Sequence, residues 1–339
     1  METPLLGARI FVALSIAAVC SGARAAPPPC PKFTEMKLSK KISSEDRAAR
    51  FPGGAVVQVR ELRIDTDGAS VSYHPENIGT THLCNGMNPF VQGRCLGVTE
   101  LELERCYAAL RIVLDESWKR EKVPPFCVYG FEVPSTTKVG DKLVWGGAFG
   151  SGPVPVQGPN DPAPGFFFSQ TASPVPIEPG ASQMARYADA DRIPYVAVPR
   201  AFVGATGPTE KRAAAALVRT GDLHAVPAIV GDVGPAAGEV SVAAAQLVQD
   251  ADLTAPVPIT EEALRTKHDL PFPYLIRNGR VRAGRNPSDG PYLVFVFSAK
   301  HGRVKRYAFD ESQALSTATL SVFGGAEHLA SCAKKYFKG

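Results

Sequence analysis

The sequence predicts a mainly β protein, a compact barrel or sandwich carrying helical and disulfide-bearing decorations. Three observations carry that expectation. Short apolar runs of strand length recur along the chain, 31 glycines and 30 prolines punctuate them, and few stretches place apolar residues at helical spacing. The 339 residues are 45% hydrophobic and 21% charged, the balance of a globular chain long enough for one large domain or two ordinary ones.

At the N-terminus, Arg9 precedes an apolar stretch from Ile10 to Cys20, and Ala23-Arg24-Ala25 follows with small residues around a charged one. The stretch is too short to span a bilayer, so residues 1–25 read as a signal peptide cut after Ala25. The expected product is secreted, extracellular or periplasmic, without a membrane span. A proline-rich lead-in covers residues 26–54. Ala55 to Ile64 then alternates as a strand does, and Asp65-Thr66-Asp67-Gly68 forces a turn. That turn resembles the start of a calcium loop but lacks the glutamate such a loop needs, so no metal is expected.

Leu101, Leu103, Tyr107, Leu110, Val113 and Leu114 fall at helical spacing and predict a helix from Thr99 to about Lys119. Strands are expected around Pro125–Val133 and Lys142–Trp145. A proline- and glycine-rich loop from Gly150 to Gly165 then enters a strand at Phe166–Ser169. The alanines of Ala213–Arg219 favour a helix by propensity. The Thr220-Gly221-Asp222-Leu223 turn between two apolar runs favours a β-hairpin instead, pairing Ala215–Arg219 with Ala225–Val230. Thr254–Pro273 is punctuated by proline, with room for a short helix at Glu261–Lys267. Tyr292–Phe297 reads as a buried strand, Val304–Phe309 as its partner across Lys300–Arg303, and residues 311–339 as a tail.

Removing residues 1–25 takes away Glu2, Arg9 and Arg24 and leaves a net charge of +3. With no basic cluster interleaved with aromatics, nucleic acid is not an expected partner. Six cysteines remain: Cys30, Cys84, Cys95, Cys106, Cys127 and Cys332. In an oxidising compartment they allow three disulfides. We expect Cys30 to pair with Cys332, closing the domain, with two more bridges inside Cys84–Cys127. Neither Cys-x-x-Cys nor a histidine spacing for zinc is present, and no cofactor is expected.

The segment from Val226 to Ser241 carries the chemistry. An apolar run ends in Gly231-Asp232, a Gly/Pro turn follows, and Glu239 comes seven positions after the aspartate. The run reads as a buried strand delivering a carboxylate to a sheet rim, and Val240–Val248 as a short helix with Glu239 near its start. Two carboxylates across a tight loop suit acid/base hydrolysis of a glycosidic bond. A turn aspartate and a helix-dipole glutamate are the plainer alternative.

The surrounding text adds a resemblance. Ile64-Asp65-Thr66-Asp67-Gly68, Tyr73-His74-Pro75, Asp161-Pro-Ala-Pro-Gly165-Phe-Phe-Phe-Ser169-Gln-Thr171, Tyr187-Ala-Asp189 and Ile193-Pro-Tyr195-Val-Ala-Val-Pro199 stand in this order before the carboxylate segment. Together they resemble glycoside hydrolase family 75, the chitosanases, over about Arg63 to Val248. The resemblance implies a compact six-stranded double-psi-type β-barrel, endo-acting and inverting cleavage of chitosan, and an essential pair at Asp232 and Glu239. The chain departs from the family in its short Asp-to-Glu spacing, in a cysteine-bearing insert at about 76–150, and in its long tail. The catalytic domain would then span residues 55–310.

Inverting chemistry needs an acid on the leaving oxygen and a base on a water, roughly 6.5–9.5 Å apart. Asp232, ending an apolar strand, is assigned the acid role, and Glu239, beside a helix N-terminus, the base role. Asp65, Asp67, Asp161 and Asp189, with Asp191, are candidates to hold glucosamine ammonium groups. Tyr187, Tyr195 and Phe166–Phe168 could offer stacking faces, while Ser169, Thr171 and Ser241 offer hydroxyls. His74 is assigned to loop orientation. The expected partner is chitosan or a related aminosugar polymer, met by a monomer. The alternatives are a related barrel enzyme on peptidoglycan that needs only Asp232, or a non-catalytic expansin-like polysaccharide binder.

Overall fold

The structure, a computed structural model, describes residues 26–38, 41, 43–97, 100–119, 121–134, 136–140, 142–150, 152–253, 280–282 and 291–338. The expected signal peptide and the possible helix at Glu261–Lys267 lie outside them. In chain order the elements are β1 (Thr34–Met36), β2 (Arg47–Phe51), β3 (Gly54–Val59), β4 (Glu61–Asp65), α1 (Leu83–Gly86), β5 (Met87–Val91) and β6 (Arg94–Cys95). Next come α2 (Glu100–Asp115), β7 (Phe126–Val128), β8 (Thr137–Val139), β9 (Lys142–Trp145), β10 (Tyr195–Ala197), β11 (Ala214–Arg219), β12 (Ala225–Asp232) and β13 (Glu239–Ser241). The chain ends with α3 (Val242–Val248), β14 (Arg280–Arg282), β15 (Tyr292–Phe297), α4 (Phe309–Val322) and α5 (Ala326–Lys338).

The protein is mainly β. A 10-stranded sheet runs in the order β1-β2-β3-β15-β11-β12-β10-β13-β4-β14, and a 5-stranded sheet in the order β6-β5-β7-β9-β8. Among the described residues no hydrogen-bonded pair joins the two ends of either order. One relation stands out: β3 pairs with β15 and β4 pairs with β13, yet only Arg60 separates β3 from β4 in the chain. The single alternating run expected at Ala55–Ile64 is therefore broken there into two strands.

Strand alternation divides the core. Val57, Val59, Leu217, Val230, Val240, Val294 and Val296 point into one cluster, closed by Ala244, Ala245 and Val248 of α3. Their neighbours Val56, Ala216, Val218, Leu293, Phe295 and Phe297 point the other way, against Leu320 of α4 and Leu329, Ala330, Ala333 and Phe337 of α5. The predicted hairpin is β11–β12, with Val218 opposite Ala225 and Ala214 opposite Ile229. Its alanines do not form a helix because β11 is hydrogen-bonded on both edges, to β12 and β15, and buried on both faces. Small side chains let α4 and α5 approach the sheet.

Two strand expectations are corrected. Phe166–Ser169 makes only isolated bridges, Phe167 to Val156 and Ser169 to Phe131, because its backbone bonds are shared among three separate segments, at Gln157, Tyr73 and Glu132, instead of one partner strand. Val304–Phe309 is not a partner strand. Arg303 bridges Ala213 instead, and α4 begins at Phe309 with Asp310 and Glu311 in its first turn. The expected tail is thus two helices packed on the sheet, and the lead-in contributes β1 and β2. The three disulfides follow the expected pattern: Cys30–Cys332, Cys84–Cys106 and Cys95–Cys127. The last two staple α1, α2, β6 and β7 into a lobe around Trp145, Phe126, Phe131 and Phe167. No helix among the described residues is long and apolar enough to cross a membrane.

Candidate active site

The site begins where β4 ends. Asp65 Oδ1 accepts a hydrogen bond from the Asp67 N–H at 2.9 Å, which makes the Asp-x-Asp-Gly turn. Gly68 follows with φ +85°, and a Cβ there would lie 2.0 Å from the Ala188 carbonyl oxygen, so only glycine fits. Its N–H donates to Ser169 Oγ at 2.9 Å. Two buried tyrosines fix the turn. The Tyr73 hydroxyl donates to Asp67 Oδ1 at 2.5 Å, and the Tyr195 hydroxyl donates to the Asp67 carbonyl at 2.8 Å.

Asp232 closes β12 beside β10. The parallel register steps from Val196 opposite Val230 to Ala197 opposite Asp232, and this bulge turns the aspartate away from the valine core. Asp232 Oδ1 accepts the Ala172 N–H at 2.6 Å, while Lys211 Nζ donates to the carbonyl of the same Ala172. Lys211 thereby tethers the peptide that holds Asp232, and its charge also favours the carboxylate form. Glu239 lies across β10: Ala197 pairs with Asp232 on one side and with Glu239 on the other. Val196 and Val240 belong to the inner core, so Ala197 and Glu239 face the opposite way.

Oxygens of Asp65, Asp67 and Asp232 all lie within 4.8 Å of one another. Burial pushes Asp65 well above the usual carboxylate range, with the charges of Asp232 and Glu239 adding to it; hydrogen bonds from Asp67 and Tyr195 offset only part. Asp67 is raised well above its usual value by burial and then by Asp65 and Asp232. Burial raises Asp232 as well, opposed by the Ala172 and Val233 N–H groups, Lys211 and a hydrogen bond from Asp65. Burial favours the protonated form of Asp65 while its neighbours favour the Asp232 carboxylate, so the two make an asymmetric acidic pair. Three carboxylates at this spacing are also a donor set that could hold a divalent cation. The other candidate group, Cys30, His328 and Cys332, has its two thiols joined in a disulfide.

Among the expected site residues, Asp65, Asp67, Tyr195, Asp232 and Glu239 come together. Ser169 and Thr171 adjoin them as scaffolding: Ser169 Oγ links Gly68 to the Gly130 carbonyl, and Thr171 Oγ1 accepts the Ala188 N–H at 3.3 Å. Asp161 clasps its own loop, accepting from the Gly158 N–H and from Ser182 Oγ. Tyr187 donates its hydroxyl to Glu132, and Asp189 accepts the Asp191 N–H and lies 3.7 Å from Arg192. Tyr187, Tyr195 and Phe167 are too buried to offer a stacking face. His74 packs edge-on to Phe166 and accepts the Glu76 N–H, a loop-ordering role as expected.

The expected helix after Glu239 starts later. Glu239 lies in β13, and Ser241 is the N-cap of α3, accepting the Ala244 N–H at 3.1 Å and the Tyr195 N–H at 2.9 Å. The helix-dipole argument for Glu239 as base thus does not hold, because the glutamate precedes the cap. Tyr73, Tyr129 and Lys211 also belong to the site. Tyr73 carried a signal in its place beside His74-Pro75, whereas Lys211 and Tyr129 reach the site only through contacts distant in sequence. No protein-family model matches the chain, and no curated protein matches it in a sequence comparison.

Proposed function

We propose that the protein is a secreted endo-acting hydrolase of aminosugar polymers, a chitosanase that cleaves β-1,4 bonds between glucosamine units with inversion. The observation that carries this is the pairing of Ala197 with both Asp232 and Glu239. Two strand spacings separate the backbones of the two acids, about 9.5 Å. Side chains rising on either side of Ala197 from backbones so spaced can bracket a sugar and an attacking water, which need the carboxyl groups roughly 6.5–9.5 Å apart. In this mechanism the Asp65–Asp232 pair is the acid. The one proton this pair shares passes from Asp232 to the glycosidic oxygen as the bond to the anomeric carbon breaks; both carboxylates are then ionised, and the Ala172 N–H and Lys211 stabilise the charge on Asp232. Water attacks that carbon from the opposite face and gives its proton to Glu239.

The charge of the site supports a cationic substrate. Asp65, Asp67, Asp232 and Glu239 interact with one another, and Lys211 is the cation acting on Asp232. An ammonium group of glucosamine offsets this excess, which a neutral N-acetyl group does not. The mild positive net charge of the chain is thus compatible with a locally acidic cleft. The order β3-β15-β11-β12-β10-β13-β4 starts and finishes in one continuous chain segment, Gly54–Asp65, which supports a six-stranded double-psi-type barrel with that segment counted once. Six cysteines paired in three disulfides fit an oxidising compartment, and with Ile10–Cys20 and Ala23–Ala25 they support secretion after signal cleavage.

The test is release of reducing ends from chitosan of graded acetylation, by wild type and by Asp232→Asn and Glu239→Gln. Each variant should lose activity by about 10²–10⁴-fold, the usual worth of a positioned acid or base. Melting should stay near wild type, because each change preserves shape. Full activity of Glu239→Gln would instead favour a single-acid mechanism on another aminosugar polymer. Absence of any cleavage by the wild type would leave a polysaccharide binder.

A further inference from the structure

We infer that Tyr129 is the sugar-stacking residue of this site, a role deepening the proposed aminosugar hydrolase reading. Tyr129 directly follows β7, and its N–H donates to the Gly86 carbonyl at 2.9 Å. Its carbonyl accepts Gln170 Nε2 at 3.1 Å, so the stapled lobe and the segment leading to Ala172 both fix its backbone. The next residue places it at the cluster. A Cβ on Gly130 would lie 2.6 Å from the Tyr73 hydroxyl, the same hydroxyl that bonds Asp67.

The two ends of the Tyr129 side chain have different surroundings. The hydroxyl donates to Asn88 Oδ1, a side chain that is itself buried and held by the Cys84 carbonyl. Burial of that end raises the hydroxyl pKa, and the charges of Asp67 and Glu239 raise it further, in keeping with the neighbouring Gly130 packing on the Tyr73 hydroxyl that bonds Asp67. The residue as a whole is nonetheless 44% exposed. A tyrosine pinned at its hydroxyl, nearly half exposed and next in the chain to a residue packed on the Asp67-bonded tyrosine is a rigid platform with little ordering cost on binding. Three other aromatics near the cluster are less open: Tyr73 and Tyr195 are fully buried, and Tyr307 is half-buried with its hydroxyl on the Ser173 carbonyl; Phe166, also half-buried, has His74 edge-on to it. The apolar C–H face of a glucosamine ring fits the tyrosine face, while its ammonium and hydroxyl groups turn to the carboxylates.

Binding and cleavage must be read separately to test this. Titration calorimetry would use a glucosamine pentamer with Asp232→Asn protein, so that ligand is not consumed, alone and combined with Tyr129→Ala or Tyr129→Phe. Tyr129→Ala should weaken binding about tenfold, within the range expected for an aromatic contact with its desolvated area. Tyr129→Phe keeps the face, loses only the Asn88 bond, and should restore affinity to within about threefold of the Asp232→Asn parent. In the active background Tyr129→Ala should raise KM more than it lowers kcat. Unchanged affinity for Tyr129→Ala overturns the inference. So does equal loss in both variants, which would assign the effect to the hydroxyl, and so does a parent protein that binds no pentamer. If the pentamer binds, the Tyr129 pattern holds and wild type cleaves nothing, the hydrolase reading fails while the stacking role stands.

Discussion

The Glu239 carboxylate rests against the bare Cα of Gly234: a Cβ built on that glycine would lie 2.0 Å from Glu239 Oε2. The same Cβ would sit 3.5 Å from the Ala197 methyl, so the glycine opens the pocket in which the proposed base is held. The Gly/Pro turn between the two acids thus has a second use besides reversing the chain. It lets a strand carboxylate fold back over the turn that precedes it.

Gly234→Ala should therefore damage activity more than stability. The backbone there does not need a positive φ, and the atom in the way is the far end of a flexible side chain. Glu239 can swing aside at a small cost, below about 1 kcal/mol on the scale of an off-rotamer side chain. Its carboxylate would then sit an ångström or so out of place, a displacement able to cost about 10²-fold in rate. Steady-state kinetics on chitosan beside a thermal melt would check this. A melt lowered by many degrees with normal kcat would mean that the glycine serves only folding.

Asp65 gives a pH signature. Burial first, then the charges of Asp232 and Glu239, hold its folded pKa well above the unfolded value. Below the unfolded pKa both states carry the proton and no penalty arises. As pH rises from there through the folded pKa, the unfolded chain releases its proton first, so stability falls over that window and levels off above it. Asp65→Asn removes the titration. The variant should match wild type in acid and melt higher at neutral or alkaline pH, by at least about 2 °C. Calorimetry from pH 3 to 9 would show the two curves diverging upward from the carboxylate range. A variant equally destabilised at every pH would contradict a shared proton.

The local parts of this architecture were legible in the sequence. The Asp65–Gly68 turn and the β11–β12 hairpin declare themselves within a few residues, and the six thiols pointed to three bridges with Cys30–Cys332 closing the ends, whereas the pairing of the four inner cysteines came only from the structure. The candidate carboxylates Asp232 and Glu239 were legible as members of a motif, but the reason they flank one strand was not visible. It is the register shift at Ala197, a property of three paired strands. Glu239 was expected at a helix start because Val240–Val248 is rich in alanine, whereas pairing to Arg63 and Ala197 extends the strand to Ser241 and delays the helix. Lys211 contacts the Ala172 carbonyl across 39 positions, and no periodicity marks such a pair.

The disulfides offer a test of how the fold is secured. Cys30–Cys332 closes 302 positions, whereas Cys84–Cys106 closes 22. If constraint of the unfolded chain dominates, the longer loop should be worth about 2 kcal/mol more. Denaturant unfolding of Cys30→Ser/Cys332→Ser and Cys84→Ser/Cys106→Ser proteins would compare them. The first pair also ties α5, whose Leu329, Ala330, Ala333 and Phe337 cover the outer core, so its loss should additionally expose the sheet face. Equal losses for both pairs would show that local packing around each bridge outweighs loop entropy.

Stereochemistry probes the proposed mechanism most directly. Asp232 and Glu239 flank one residue of β10, and both leave the sheet on the face away from the valine core. Backbones about 9.5 Å apart let the two carboxyl groups stand far enough apart for a water behind the anomeric carbon, which carboxyl groups about 5 Å apart do not allow. A single displacement on a β-linked polymer then yields the α-anomer at the new reducing end. Proton NMR during the first minutes of hydrolysis, before mutarotation, should show that anomer appearing first. Initial appearance of the β-anomer would require a covalent intermediate on one carboxylate. The nearest candidates for that closer pair would then be Asp65 and Asp232, whose oxygens lie within 4.8 Å, and Glu239→Gln would lose far less activity than Asp65→Asn.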